Sequence, residues 1–168
     1  MEPKKAEIKE KYELSAGIYD SRYETIQTDK YVEMLDGLEI KEPILDLGCG
    51  TGLLKKVLIK HVFGMDISFE MLKQAAERGE TVVQADLDNL PFKDTSFNAV
   101  LSFTSLQNLP ETKQALKEAK RVSKGIFVLT MLKKSLTEDF YEHLRTIFEI
   151  QEIKDVGEDA GFILSSNK

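Results

Sequence analysis

The chain has 168 residues, 42% of them hydrophobic and 31% charged, and a formal net charge of −6. That length and balance fit one soluble globular domain with a single sizeable core. The acidic excess excludes a broadly basic nucleic-acid surface, leaving open only a local patch. The single cysteine, Cys49, excludes an internal disulfide and fits a reducing compartment.

The first residues, Met1-Glu2-Pro3-Lys4-Lys5, lead into mixed charges rather than an apolar core with a small-residue cleavage site, so they do not read as a secretory signal. No apolar run approaches the ~20 residues needed to span a bilayer. The expected setting is cytoplasmic, away from membranes. Residues 6–16 carry Ile8, Tyr12 and Ala16 at four-residue intervals and predict a helix, with Gly17 as its stop. A polar-aromatic segment from Ile18 to Tyr23 follows, then a second helix from about Thr25 to Leu35, ended by Asp36-Gly37. Residues 1–42 thus read as a helical leader before a core over residues 43–168, within one domain. The leader holds Tyr12, Tyr19, Tyr23 and Tyr31, four of the five tyrosines. Either they pack the leader onto the core, or Tyr19 or Tyr23 closes over a ligand with ring face and hydroxyl together.

From residue 43 onward strands and helices alternate. Ile44-Leu45-Asp46-Leu47 reads as a short buried strand. It drops into Gly48-Cys49-Gly50-Thr51-Gly52, whose alternate glycines permit a tight turn and close approach of a ligand. Leu53 to Leu58 then predicts a short helix. Further strands are predicted at His61–Asp66, Thr81–Asp86, Phe97–Phe103 and Gly125–Met131. Helices are expected after Ser68, from Pro110 to about Val122 and over residues 137–147, and Phe148–Ile153 with Phe162–Ser165 predicts a closing hairpin. This alternation implies a parallel sheet covered on both faces, with a ligand beyond the carboxyl ends of its strands.

Three predicted strands end in acids: Asp46, Asp66 and Asp86. An Asp after a strand often caps the next helix, but three in succession set carboxylates side by side along one rim. The glycine turn is a nucleotide-site signal, and two features disfavour a dinucleotide. Its fingerprint needs a third glycine where this chain has Leu53, and Asp46 would stand beside an anionic phosphate. An ATP-type phosphate loop is excluded because no Lys-Ser/Thr pair follows the glycines. A nucleoside with cationic groups suits the acids better. S-adenosylmethionine offers a sulfonium, an ammonium, a carboxylate, a ribose diol and an adenine. Glycine-loop amides suit its carboxylate, Asp66 both ribose hydroxyls, and Asp86 the adenine amino group, with the Leu87 amide beside the ring. Met71 either packs on the adenine or belongs to the core. Cys49, without nearby cations in sequence, reads as a small packing residue, and no zinc-type Cys/His spacing predicts a metal.

Asp46 to Gly52, Gly64-Met65-Asp66-Ile67-Ser68 with Met71, Ala85-Asp86-Leu87 with Leu90-Pro91-Phe92, and Ser96 to Ser102 resemble, in order and spacing, the motifs of class I S-adenosylmethionine-dependent methyltransferases. Asn98 stands where that family more usually has Asp. The resemblance runs over about residues 12–131. It implies an α/β Rossmann-like fold: a seven-stranded sheet of order 3-2-1-4-5-7-6, the seventh strand antiparallel, with helices on both faces. It implies cofactor contacts at Tyr19, Asp46, Gly48, Cys49, Gly50, Gly52, Asp66, Ile67, Met71, Asp86, Leu87 and Ser102. The leader pattern Tyr12-x-x-x-Ala16-x-x-Tyr19-Asp20 is similar to the small-molecule branch, which would set Tyr19 near the methionine end. Two departures stand out. The turn before the fifth strand is shorter than the family's usual Pro-Gly-Gly-like turn, and the insertions that commonly build a substrate pocket after that strand are lacking.

Methyl transfer from a sulfonium is an in-line displacement, so the protein mainly aligns the acceptor and excludes water, an effect worth roughly 7–11 kcal/mol. A base is needed only if the acceptor must lose a proton. Neither His61, at a strand start, nor His143, in a late helix, is placed for that role, and no catalytic residue is assigned. Thr104, Gln107 and Asn108, in the loop after the fourth strand, and Tyr23 are the candidate acceptor-positioning residues. That loop lacks the Asn/Asp-Pro-Pro-Tyr/Phe run with which amino-group methyltransferases hold a nitrogen. The expected acceptor is a small molecule, ahead of RNA or protein. The compact substrate region also admits a homodimer, or a cofactor-binding subunit acting through a partner chain.

Overall fold

The computed structural model describes residues 2–166. Its strands are β1 (Ile44–Leu47), β2 (Val62–Asp66), β3 (Thr81–Gln84), β4 (Phe97–Phe103), β5 (Ser123–Leu132), β6 (Phe148–Val156) and β7 (Asp159–Ser166). They form one sheet in the order β3-β2-β1-β4-β5-β7-β6. The first five run parallel, while β7 pairs antiparallel with both β5 and β6. This is the arrangement that the resemblance implies. Among the described residues, no helix is long and apolar enough to cross a membrane.

The continuous apolar runs of β1 and β4 follow from burial on two faces. Alternate residues Leu45, Leu47, Val100 and Phe127 pack toward α3 (Lys113–Val122) and α4 (Glu138–Ile147) through Leu116, Ala119, Phe140 and Leu144. Their neighbours Ile44, Ala99, Leu101 and Val128 pack on the opposite face against Tyr31 and Met34 of α1 (Pro3–Leu35) and against Leu53 and Leu54. A third small cluster seats Leu72 and Ala75 of α2 (Phe69–Glu77) on Cys49. Ser68 caps α2 as expected, its hydroxyl accepting from the Met71 amide.

The expected break in the leader is overturned. α1 is one unbroken helix, running through Gly17 and the polar-aromatic segment. A glycine inside a helix costs about 1 kcal/mol, which packing of the buried Ala16, Tyr31 and Met34 offsets. Gln74 Nε2 also donates to the Ala16 carbonyl at 2.8 Å and pins the helix beside its glycine. Three smaller corrections follow. Leu53–Lys56 is a single 3-10 turn instead of a longer helix. β3 stops at Gln84, because the Asp86 carboxylate accepts from the Asp88 amide at 3.1 Å and turns the chain there. The closing hairpin is longer than expected, with only Gly157 and Glu158 between its strands.

Two departures from the family pattern find local reasons. Asn98 donates its side-chain amide to the Glu42 carbonyl, a bond that a carboxylate cannot make. No separate turn precedes β5, because α3 ends at Val122 and β5 begins at Ser123.

Candidate functional site

Beyond the carboxyl ends of β1, β2 and β4 lies a cleft, the position that an open α/β sheet favours for ligands. Gly48, Asp66, Ile67, Asp86, Leu87, Thr104 and Asn108 line it from the core, and Tyr12 and Tyr19 from α1. Thus Tyr19, Gly48, Asp66, Ile67, Asp86 and Leu87, expected at one site from scattered motifs, share a single wall-to-wall space. Tyr23 and Gln107 line an adjoining groove of about 630 Å³, and Tyr12, Tyr19, Thr104 and Asn108 border both spaces. Neither His61 nor His143 lines either one.

Asp66 is the fixed point of the cleft. Its Oδ2 accepts from the Gly50 amide at 3.0 Å and its Oδ1 from the Ser68 amide at 2.9 Å. Burial pushes its carboxyl above the usual range, and the amides of Ser68, Gly50 and Ile67 oppose that rise. The carboxylate keeps lone-pair capacity to offer a ligand.

The glycine turn does a different job from the one expected. The amides of Gly48 and Cys49 donate to the Met65 carbonyl at 2.7 and 3.0 Å, and Gly52 donates to Cys49 at 3.0 Å. With Gly50 committed to Asp66, these four amides are unavailable to a ligand's carboxylate. A Cβ at Gly48 would meet Ser105 at 2.5 Å, and one at Gly52 would meet the Ala75 backbone at 2.9 Å. These two glycines therefore serve close packing within the protein. Gly50 alone of the three has open space at its Cβ position.

Asp46, Cys49, Gly50, Gly52, Met71 and Ser102 border neither space. Met71 is 1% exposed. The Ser102 hydroxyl donates to the Leu47 carbonyl at 3.3 Å and pairs with Ser105 at 2.7 Å, a tie beneath Gly48. Asp46 is buried below the turn, where burial and then Glu80 and Asp66 hold its carboxyl well above the usual range. Burial likewise pushes up the Cys49 thiol, which fits a packing role.

α1 closes the cleft, and sequence reasoning missed most of its contribution. Lys5, 6% exposed, donates to Asp86 Oδ2 at 2.8 Å and also to Asp88. Lys4 donates to the Leu109 carbonyl at 3.0 Å, and Asn108 Nδ2 donates to the Tyr12 hydroxyl at 3.0 Å. Farther along, Asp20 accepts from Thr51 Oγ1 at 2.6 Å and from Arg78, clamping α1 to the glycine turn. The enclosed volume is only about 80 Å³, below the ~300 Å³ of an ordinary small-ligand site. Burial pushes the Tyr19 hydroxyl up to about 12, so it remains a neutral donor. A signal for this face existed: Lys5, Ile8, Tyr12, Tyr19 and Tyr23 recur at helical spacing, but only along an uninterrupted helix.

Comparison with known proteins agrees with this geometry. The family model described as "Methyltransferase domain" matches residues 45–129. The uncharacterized protein MJ1252 of Methanocaldococcus jannaschii is 40% identical over 133 residues, covering 74% of this chain and 51% of that protein. A demethylmenaquinone methyltransferase of Thermotoga maritima is 35% identical over 126 residues, covering 70% and 54%. The chain spans about half the length of these curated relatives. In fold it is similar to the magnesium protoporphyrin IX methyltransferase of Synechocystis PCC 6803, solved with bound SAM. The TM-score is 0.79 at 18% identity, over 99% of each chain.

Proposed function

The chain belongs to the methyltransferase-domain family, and from that premise we propose that it transfers a methyl group from S-adenosylmethionine to a small-molecule acceptor. The observation that carries this reading is Asp66, a strand-end carboxylate held by two amides and opening on the cleft. The donor set fits the cofactor. Asp66 would take the ribose hydroxyls, Asp86 and the Leu87 backbone the adenine edge, and Tyr19 the methionine end. Ile67 and Gly48 complete the wall, while Asp46, Cys49, Gly50, Gly52, Met71 and Ser102 hold it in shape from behind. Bound there, S-adenosylmethionine supplies a methyl group on a sulfonium, already activated for displacement. The protein's own task is alignment and exclusion of water.

A small acceptor is supported by the adjoining groove, whose volume of about 630 Å³ falls in the range of ordinary ligand sites. It meets the cleft at Tyr19 and Thr104, where acceptor and donor must face each other. The names of two related proteins, a demethylmenaquinone and a magnesium protoporphyrin IX methyltransferase, point to acceptors of that size. The test is calorimetry with S-adenosylmethionine and with NAD, followed by labelled methyl transfer over small-metabolite extracts and bulk RNA. We expect binding of S-adenosylmethionine and label in a small molecule. Binding of NAD alone would overturn the cofactor, and label confined to RNA would overturn the acceptor class.

Lys5 sets a second expectation. It occupies Asp86, the carboxylate proposed for the adenine amino group, so cofactor and Lys5 compete. Lys5→Met removes the cost of opening that contact, and S-adenosylmethionine should bind roughly three- to tenfold tighter, about 1 kcal/mol. Weaker binding by the variant in calorimetry would show that Lys5 belongs to the cofactor site instead of opposing it.

A further inference from the structure

The loop after β4 turns on Thr104, a non-glycine residue in the left-handed region with φ of +53°. Such a conformation is strained for a β-branched residue and persists only where the surroundings fix it. Here they do. The Thr104 amide donates to the Thr130 carbonyl at 3.1 Å, and its carbonyl accepts from Gln107 Nε2 at 2.6 Å. Its hydroxyl donates to Asp159 Oδ2 at 2.8 Å and accepts from Lys30. Lys30 of α1 and Asp159 of β7 pair directly at 2.9 Å, only 6% and 2% exposed. Lys30, Thr104, Gln107 and Asp159 line the groove, and Thr104 also lines the cleft.

Two polar functions are left over at this junction. An ammonium carries three donors, and Lys30 spends one on Thr104 and one on Asp159. The Thr104 carbonyl can only accept, so the Gln107 atom touching it is the nitrogen, and Gln107 Oε1 is buried with no partner. An unmade bond of that kind is destabilising until a ligand group completes it. Beside this pair of free functions, the rings of Tyr19 and Tyr23, centroids 4.9 Å apart, provide an apolar wall, with Tyr23 42% exposed. The other ionisable walls balance, Lys11, Arg22 and Lys134 against Asp29, Glu33 and Glu158. Lys30 is itself balanced by Asp159, so what it adds to the groove is a directed third donor.

We infer that Lys30, oriented by Asp159, and Gln107 position an acceptor that is a flat conjugated molecule bearing an acidic hydroxyl. Lys30 pairs with the ionised oxygen, and Gln107 Oε1 accepts a hydrogen bond from a neighbouring donor group on the same molecule. The inference rests on the methyltransferase reading above. The hydroxyl proton leaves to solvent, and the bond from methyl to sulfur breaks with its electron pair kept by sulfur. The new bond forms to the oxygen, or to a conjugated carbon that then releases its own proton as the hydroxyl is restored. Either way one methyl arrives and one proton departs. A protonated amine is disfavoured, because it offers no acceptor to the free Lys30 donor.

The test uses the full chain saturated with S-adenosylhomocysteine, and as a chromophoric probe 4-nitrocatechol, which keeps a hydroxyl donor beside the one that ionises. Bound to the unaltered protein, the probe should ionise at lower pH than free in solution, read by phenolate absorbance. Lys30→Met should abolish that shift and weaken phenolate binding about tenfold or more, and Lys30→Arg should restore part of both. Gln107→Leu should weaken binding without moving the probe's ionisation. Because Lys30→Met strands a buried carboxylate, Lys30→Met with Asp159→Asn provides a charge-balanced second variant that should also lose the shift. Retention of the shift in either Lys30→Met protein, or binding of the probe as the neutral phenol, would overturn the inference. Failure of the unaltered protein to bind S-adenosylhomocysteine would instead overturn the methyltransferase reading itself.

Discussion

Asp66→Ala is expected to weaken S-adenosylmethionine binding by about 100-fold or more, with the fold retained. A hydrogen bond to a charged acceptor contributes about 1.5–3 kcal/mol, and the two ribose hydroxyls proposed for Asp66 would lose both, roughly 3 kcal/mol or above. The loss is also local. Asp66 accepts from the amides of Gly50 and Ser68, so its removal frees two donors that water filling the vacated carboxylate space from the cleft can take. The turn keeps its bonds from Gly48 and Cys49 to Met65. Calorimetry reads the affinity and circular dichroism the fold. Unchanged affinity would remove Asp66 from the site and with it the main support for the cofactor. Asp86→Ala is the informative companion, expected to cost less, because Lys5 already engages that carboxylate in the free protein.

Legibility in the sequence followed the range of the interactions involved. Alternating apolar runs and the cap at Ser68 are local, and they placed β4 at Phe97–Phe103 and ordered the core elements correctly. The convergence of Asp66, Ile67, Asp86 and Leu87 followed from strand ends meeting along one rim. What stayed hidden was long-range. Lys5 meets Asp86 across 81 residues, and Lys30 meets Thr104 across 74. Taking Gly17 as a stop broke the helix whose single face carries Lys5, Tyr12, Tyr19 and Lys30, so that face went unread. The role of Asp46 was misjudged for a similar reason. Its effect on a phosphate presumed an exposed charge, whereas the side chain is 3% exposed and faces Glu80. The physical case for a cationic nucleoside therefore rests on Asp66 and Asp86.

Glu80→Gln should stabilise the protein at pH 8 and leave it little changed at pH 4. Glu80 follows α2 and is 6% exposed, and both of its carboxyl oxygens lack hydrogen-bond partners. A Cβ on Gly64 would meet its Oε2 at 2.5 Å, so the carboxyl is wedged beneath the glycine turn beside Cys49. Burial pushes it up to about 7 from 4.5, with Lys55 and Arg78 opposing. Asp46 is also pushed up, by burial and then by Glu80. Two such acids cannot both ionise at low cost and so titrate as a pair. The sign follows from proton counts. Between the unfolded and folded values the native state holds a proton that the unfolded chain has released, so stability falls as pH rises through that window and levels off above it. The loss is about 3 kcal/mol. Glutamine carries no titration, so the variant should lose this slope. Denaturant unfolding at the two pH values reads the difference. Equal destabilisation at both would mean that Glu80 acts through packing alone and that its raised carboxyl does not set the pH dependence.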